Sequence, residues 1–113
     1  MSDDSENIPV TLRSMQEQAA SGAVRVTLHA SAEMVEEGVS VDDVLEAITS
    51  KDAMVVEDYP EHRRGACCLV AGSTRRARPL HVVCTSAQPV LILITVYEPK
   101  LPKWITPTRR SSR

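Results

Sequence analysis

The 113-residue chain has no phenylalanine, and Tyr59, Tyr97 and Trp104 are its only Phe, Tyr or Trp residues. Three such rings are too few for a platform on which successive bases of a single strand stack. Contact with RNA would therefore rest on charge and on hydrogen bonds to base edges. No apolar run approaches the ~18–20 residues of a spanning helix, so a helical membrane protein is excluded and no membrane partner is expected. Cysteine is scarce and odd in number. Cys67, Cys68 and Cys84 lack the two close pairs of a zinc site, so neither a metal nor another cofactor is expected. Inert, reduced thiols in a cytoplasmic protein are expected instead. The opening residues Ser2, Asp3, Asp4, Ser5, Glu6 and Asn7 are acidic and polar. A secretory signal starts basic and then turns apolar, so export by that route is not expected.

Acidic residues are nearly absent from the second half of the chain. Residues 62–113 hold ten Lys or Arg against Glu98 alone, a net +9. Residues 1–61 hold fourteen Asp or Glu against Arg13, Arg25 and Lys51, a net −11, and together the halves give the overall −2. Such segregation makes an electrostatic dipole whose basic side would attract a polyanion. The alternative is acidic helices packed beside basic strands and loops.

Apolar content of 42% at this length suits one domain with one core. Residues 1–7 read as a disordered leader, 8–104 as a single α+β domain and 105–113 as a basic tail, with Trp104 positioned to dock that tail. A helix is predicted over 9–21, with Pro9 in the first turn, Leu12, Met15 and Ala19 on one face, and Gly22 as the stop. Residues 24–28 alternate and are β-branched, predicting a short strand. A second helix over 30–37 turns Ala30 and Met34 inward and Glu33, Glu36 and Glu37 outward, ending at Gly38. A third begins at the cap Ser40, with Asp42 and Asp43 in its first turn and Val41, Val44, Leu45 and Ile48 as its core stripe. The apolar runs 53–59, 66–71, 79–85 and 90–97, separated by short polar links, then predict a strand meander. The fold class is α+β, with N-terminal helices packed on one face of a four- to five-stranded, mainly antiparallel sheet.

Several segments, in order, resemble a family of small bacterial and archaeal proteins catalogued as a domain of unknown function. They are His29-Ala30, Met34, Gly38-Val39-Ser40, Asp43-Val44, Pro79-Leu80-His81-Val82-Val83 and Ile94-Thr95-Val96-Tyr97-Glu98-Pro99, with Trp104 as a closing match. The resemblance covers about residues 25–104. It implies kinship with RelE and ParE toxins and barnase-like ribonucleases, hence a RelE/ParE-like or barnase-like fold. It also implies a toxin-type, metal-independent RNA endonuclease with RNA as substrate and an antitoxin-like protein as partner. The resemblance implies an Arg, usual in that family, where this chain has Glu37 in the run Met34-Val35-Glu36-Glu37-Gly38, so that cation is missing here.

A metal-free ribonuclease needs a base for the 2′-hydroxyl, an acid for the leaving oxygen and a cation for the phosphorane. His29, His81, Glu33 and Arg78 are the candidate catalytic residues. Glu33 lies one turn beyond His29, His81 sits in mid-strand, and Arg78 precedes it by three residues. Arg63, Arg64, Arg75, Arg76, Thr95, Tyr97 and Lys103 are the candidate substrate-binding residues. Each also has a structural reading. His29 would close a strand-to-helix turn, His81 would be a hydrogen-bonded core histidine, the arginines would be solvated turns, and Thr95 and Tyr97 would be satisfied strand residues. A Cys84–His81 nucleophilic pair is disfavoured by their opposite parity on one strand. The alternative to an enzyme is a non-catalytic protein- or RNA-binding module of the same fold, and a homo-oligomer is a further candidate assembly.

Overall fold

The computed structural model describes residues 10–63, 65–100, 104–106 and 109–110. The element order is α1 (Val10–Ser21), β1 (Val24–Val26), α2 (Leu28–Glu37), α3 (Val41–Thr49), β2 (Met54–Tyr59), β3 (Cys67–Ser73), β4 (Pro79–Thr85), β5 (Leu91–Tyr97), β6 (Trp104–Thr106) and β7 (Arg109–Arg110). The leader at 1–7, Arg64 and Lys103 lie outside the described residues, as does most of the tail.

Strands β1 to β5 form one sheet in the order β1-β5-β4-β3-β2. The meander from β2 to β5 is antiparallel, as its short links require. The sheet as a whole is mixed, because β1 runs parallel to β5 with Val24 opposite Leu91 and Val26 opposite Leu93. The two-helix connection of α2 and α3 carries the chain from β1, at one edge of the sheet, to β2 at the other. β6 and β7 pair as a separate two-stranded sheet.

Helix boundaries follow local chemistry. In α1, Leu12, Met15 and Ala19 are all buried, and Gly22 turns the chain with φ 82°. The strand predicted over 24–28 is cut short because Thr27 caps α2, its Oγ1 accepting the Ala30 N–H at 3.0 Å. Leu28 therefore opens a helix. Ser40 and Asp43 form a reciprocal capping box at α3. The buried face of α3 is Val44, Ala47 and Ile48. Leu45 is only partly buried against the core and Val41 is exposed, so the predicted stripe is rotated by part of a turn.

The core lies between the helices and one face of the sheet. From the helices come Leu12, Met15, Ala30, Met34, Val44 and Ile48; from the sheet come Cys68, Val70, Leu80, Val82, Cys84, Leu91, Leu93 and Val96. Gly72 is what lets α3 approach: a Cβ there would lie 1.9 Å from the Ala47 carbonyl oxygen. A bulge where the β4–β5 register shifts leaves Ile94 without a ladder partner in β4. Leu93 and Val96 consequently share the core face, although strict alternation would separate them. Beside the β3 end, the hydroxyls of Ser73 and then Ser50 hold the Asp52 carboxyl below its ordinary range.

Candidate functional site

Three consecutive residues at the end of β5 each hold one of the side chains predicted to carry chemistry. Val96 donates its backbone N–H to Glu33 Oε1 at 2.9 Å. The Tyr97 hydroxyl shares a hydrogen bond of 3.1 Å with His81 Nδ1. Glu98 Oε1 accepts from Arg78 Nε at 2.9 Å.

His81 stands in the middle of β4, opposite Tyr97 on β5. Its ring meets Tyr97 edge-on, with centroids 5.2 Å apart, and the histidine is 0% exposed. In the β4–β5 register Thr95 lies opposite Val83, and His81 opposite Tyr97. Both Thr95 and Tyr97 are half-buried.

His29, in the first turn of α2, is exposed, with its side chain 66% accessible. Its Nε2 lies 3.3 Å from Glu33 Oε2, the i,i+4 pairing expected of this spacing. The helical spacing turns Glu33 outward, yet it is half-buried because its other oxygen serves the β5 backbone. One carboxylate thus links an exposed imidazole to the sheet.

Arg78 reaches in three directions. Besides Glu98, its Nη2 donates to the Glu37 carbonyl at 2.6 Å and lies 3.5 Å from Glu37 Oε1. Its Nη1 donates to the Gly38 carbonyl at 3.5 Å. The guanidinium therefore holds the carbonyl end of α2, where a cation is favoured. Glu37 faces the β3–β4 turn as a negative partner of Arg78.

The remaining candidates are dispersed. Arg75 is exposed and pairs with Glu46 at 3.5 Å, while its backbone N–H also donates to Glu46. Arg63 and Arg76 are exposed in their turns. The 75–78 turn is set by Thr74, whose Oγ1 accepts from both the Arg76 and Arg78 N–H groups, with Ala77 at φ 64°. Two of its three arginines are thus matched by carboxylates of α2 and α3 and by Glu98, just beyond β5. Among the described residues the basic turn does not stand apart from the acidic helices.

A groove of about 430 Å³ runs beside α3, lined by Ala19, Ala20, Leu45, Glu46 and Arg75 among others. Neither it nor its neighbour of about 450 Å³ along Ser50, Lys51 and Thr74 is lined by His29, Glu33, Arg78 or His81. No group of three His, Cys, Asp or Glu side chains among the described residues is arranged to hold a metal. No helix among them is long and apolar enough to cross a membrane.

One apolar surface feature lies apart from the predicted site residues. Leu28 is 92% exposed and Val35 81% exposed, both on α2. The signal was present in their seven-residue spacing, which puts both on one helix face once Leu28 is assigned to the helix.

Residues 26–98 match a family model described as Domain of unknown function (DUF4258). No curated protein and no solved structure gives a match.

Proposed function

From its membership of the DUF4258 family, to which the chain belongs, and from the geometry above, we propose that it is a non-catalytic protein-binding module. One observation carries this reading: Glu33, His81 and Arg78, three of the four candidate catalytic side chains, are engaged in holding the end of β5. Glu33 satisfies the Val96 N–H, His81 is sealed beside Tyr97, and Arg78 is matched by Glu37 and Glu98. A side chain with no accessible surface cannot reach a scissile phosphate, and a cation facing two carboxylates has little charge to offer a phosphorane. The outer face of α2, with Leu28 and Val35 in solvent, is the working surface on this reading.

The second reading is the toxin-type RNA endonuclease, and the His29–Glu33 pair favours it. An exposed imidazole oriented by an anchored carboxylate is a competent general base for a 2′-hydroxyl. The proton would pass to His29 Nδ1, the nitrogen not paired with Glu33, the 2′-oxygen would bond to phosphorus, and the 5′-oxygen would leave with a proton from a second group.

The two readings separate in one experiment. The purified chain is incubated with labelled single-stranded RNA covering every dinucleotide step, with and without ribosomes, and cells expressing it are followed for growth. The binding-module reading expects intact RNA and undisturbed growth. Cleavage or growth arrest lost on His29→Ala or His81→Ala, with the thermal melt of the variant unchanged, would overturn it in favour of the nuclease.

A further inference from the structure

The exposed face of α2 has an internal symmetry. Successive residues of a helix are rotated by about 100°. With Ala30 and Met34 buried, Ala32 points almost directly outward, and Leu28 and Val35 flank it one turn to either side. The stripe is therefore large, small, large, centred on the middle of the helix. Along one flank of it run His29 and Glu36, and along the other Ser31. All three are exposed, and Glu36 forms no ion pair among the described residues.

We propose that this face pairs with the same face of a second copy of the chain, the two α2 helices lying antiparallel across a two-fold axis at Ala32. The proposal rests on reading the outer face of α2 as the working surface, and it names the partner. A two-fold interface must be self-complementary. Here Leu28 of each copy meets Val35 of the other, while Ala32 meets its own mate and lets the helices approach closely. A two-fold rotation brings each flank against the same flank of the other copy, running in the opposite direction. His29 of one chain then stands beside Glu36 of the other, twice, and Ser31 faces Ser31. Apolar surface and charge are satisfied together.

Size sets the strength. Helices of ten residues are about 15 Å long, and such a pair buries less than the ~1,200 Å² at the lower limit of stable complexes. The dimer is therefore weak, with a dissociation constant on the order of 100 µM.

Sedimentation equilibrium of the full chain tests this over about 10 µM to 1 mM, a range that brackets the expected constant. The average mass should climb toward twice that of one chain as concentration rises. Val35→Lys, at an exposed position that leaves the thermal melt unchanged, should weaken association by about tenfold or more. Ala32→Cys provides an independent measurement. Helix axes ~8–10 Å apart bring facing Cα atoms to ~4–5 Å, within disulfide range. Mild oxidation should crosslink this variant into a dimer, while Glu17→Cys on the exposed face of α1 should not crosslink. A single-chain mass throughout the range would overturn the proposal. So would a dimer indifferent to Val35→Lys and uncrosslinked at position 32, which would place the interface elsewhere. A single-chain mass with intact RNA removes this partner but leaves the binding module standing; His29-dependent cleavage removes the module itself.

Discussion

Glu33 Oε1 accepts the Val96 N–H at 2.9 Å on the flank of β5 beyond the point where β1 ends. A carboxylate from α2 thus takes the place of a missing strand. Thr27 contributes to the same junction, its N–H donating to the Leu93 carbonyl and its hydroxyl to that of Ile94. The helix is tied to the sheet edge by polar groups at its start and middle, and by Arg78 at its end.

Removing that carboxylate leaves a part-buried N–H with no acceptor. Glu33→Ala should lower stability by about 1–3 kcal/mol, and Glu33→Gln, which keeps an acceptor oxygen, by less. Urea unfolding with an unchanged slope checks this, because the amount of surface exposed on unfolding should stay the same. Equal losses for both variants would show that the charge rather than the acceptor is what matters.

Arg78 gives a different expectation. Its planar fork serves Glu98 on one side and the α2 carbonyls on the other, a geometry that an ammonium cannot reproduce. Arg78→Ala should cost about 1–3 kcal/mol, and Arg78→Lys should recover less than half of it. A catalytic arginine would behave otherwise, with stability barely moved. Urea unfolding of the two variants therefore reports on whether this residue is a clamp.

Much of the fold was legible in the sequence because it depends on short-range patterns. The stripe Leu12, Met15 and Ala19, the Ser40–Asp43 cap and the four apolar runs all report on neighbours within a few residues, and all four elements of the meander are present. What stayed hidden was long-range. Glu33 and Glu37 look like outward-facing carboxylates until their partners, 63 and 41 positions away, come into contact with them. The bulge at Ile94 inverts the parity of half a strand, which no alternation rule anticipates. The place of Arg78 three residues before His81 marks it in the sequence, but its role depends on Glu37 and Glu98, which only the fold brings to it. Leu28 looked like the last residue of a β-branched run, and only the Thr27 cap converts it into an exposed helical position.

Gly72 is a packing requirement rather than a turn. The atom that an added Cβ would meet is backbone, the Ala47 carbonyl in the last turn of α3, so no side chain can swing aside. Gly72→Ala should force α3 away from β3 at a cost of at least about 2–3 kcal/mol. For a domain of this size that corresponds to a fall in melting temperature of about 10 °C or more. A melt within a degree or two of the parent would show that α3 is free to shift.

The three thiols supply the last prediction. Cys68 and Cys84 face each other across β3 and β4, beneath Met15, whose Sδ lies 3.5 Å and 3.8 Å from their sulfurs. Cys67, on the other face of β3, donates to the Gly65 carbonyl. All three are buried. The hydrogen bond with Cys68 and then burial push the Cys84 thiol well above its ordinary value. Reaction with a thiol reagent requires a thiolate that the reagent can reach; the hydrogen bond with Cys84 lowers the Cys68 thiol, but burial closes all three sulfurs to the reagent in the folded state. The native protein should therefore label only as fast as it unfolds, at a rate that levels off as reagent concentration increases, and should label fully in urea. Met15→Ala opens a cavity above the pair and destabilises the fold by about 2–5 kcal/mol. Labelling should accelerate accordingly, whereas a native rate proportional to reagent at all concentrations would mean that at least one of these sulfurs is open to solvent. The raised Cys84 value also fixes the sign with pH. Its contribution to stability is fully present below the ordinary thiol range and is lost as pH rises through and above that range, because the unfolded chain ionises first. Cys84→Ala should flatten that alkaline decline in urea unfolding measured across the titration.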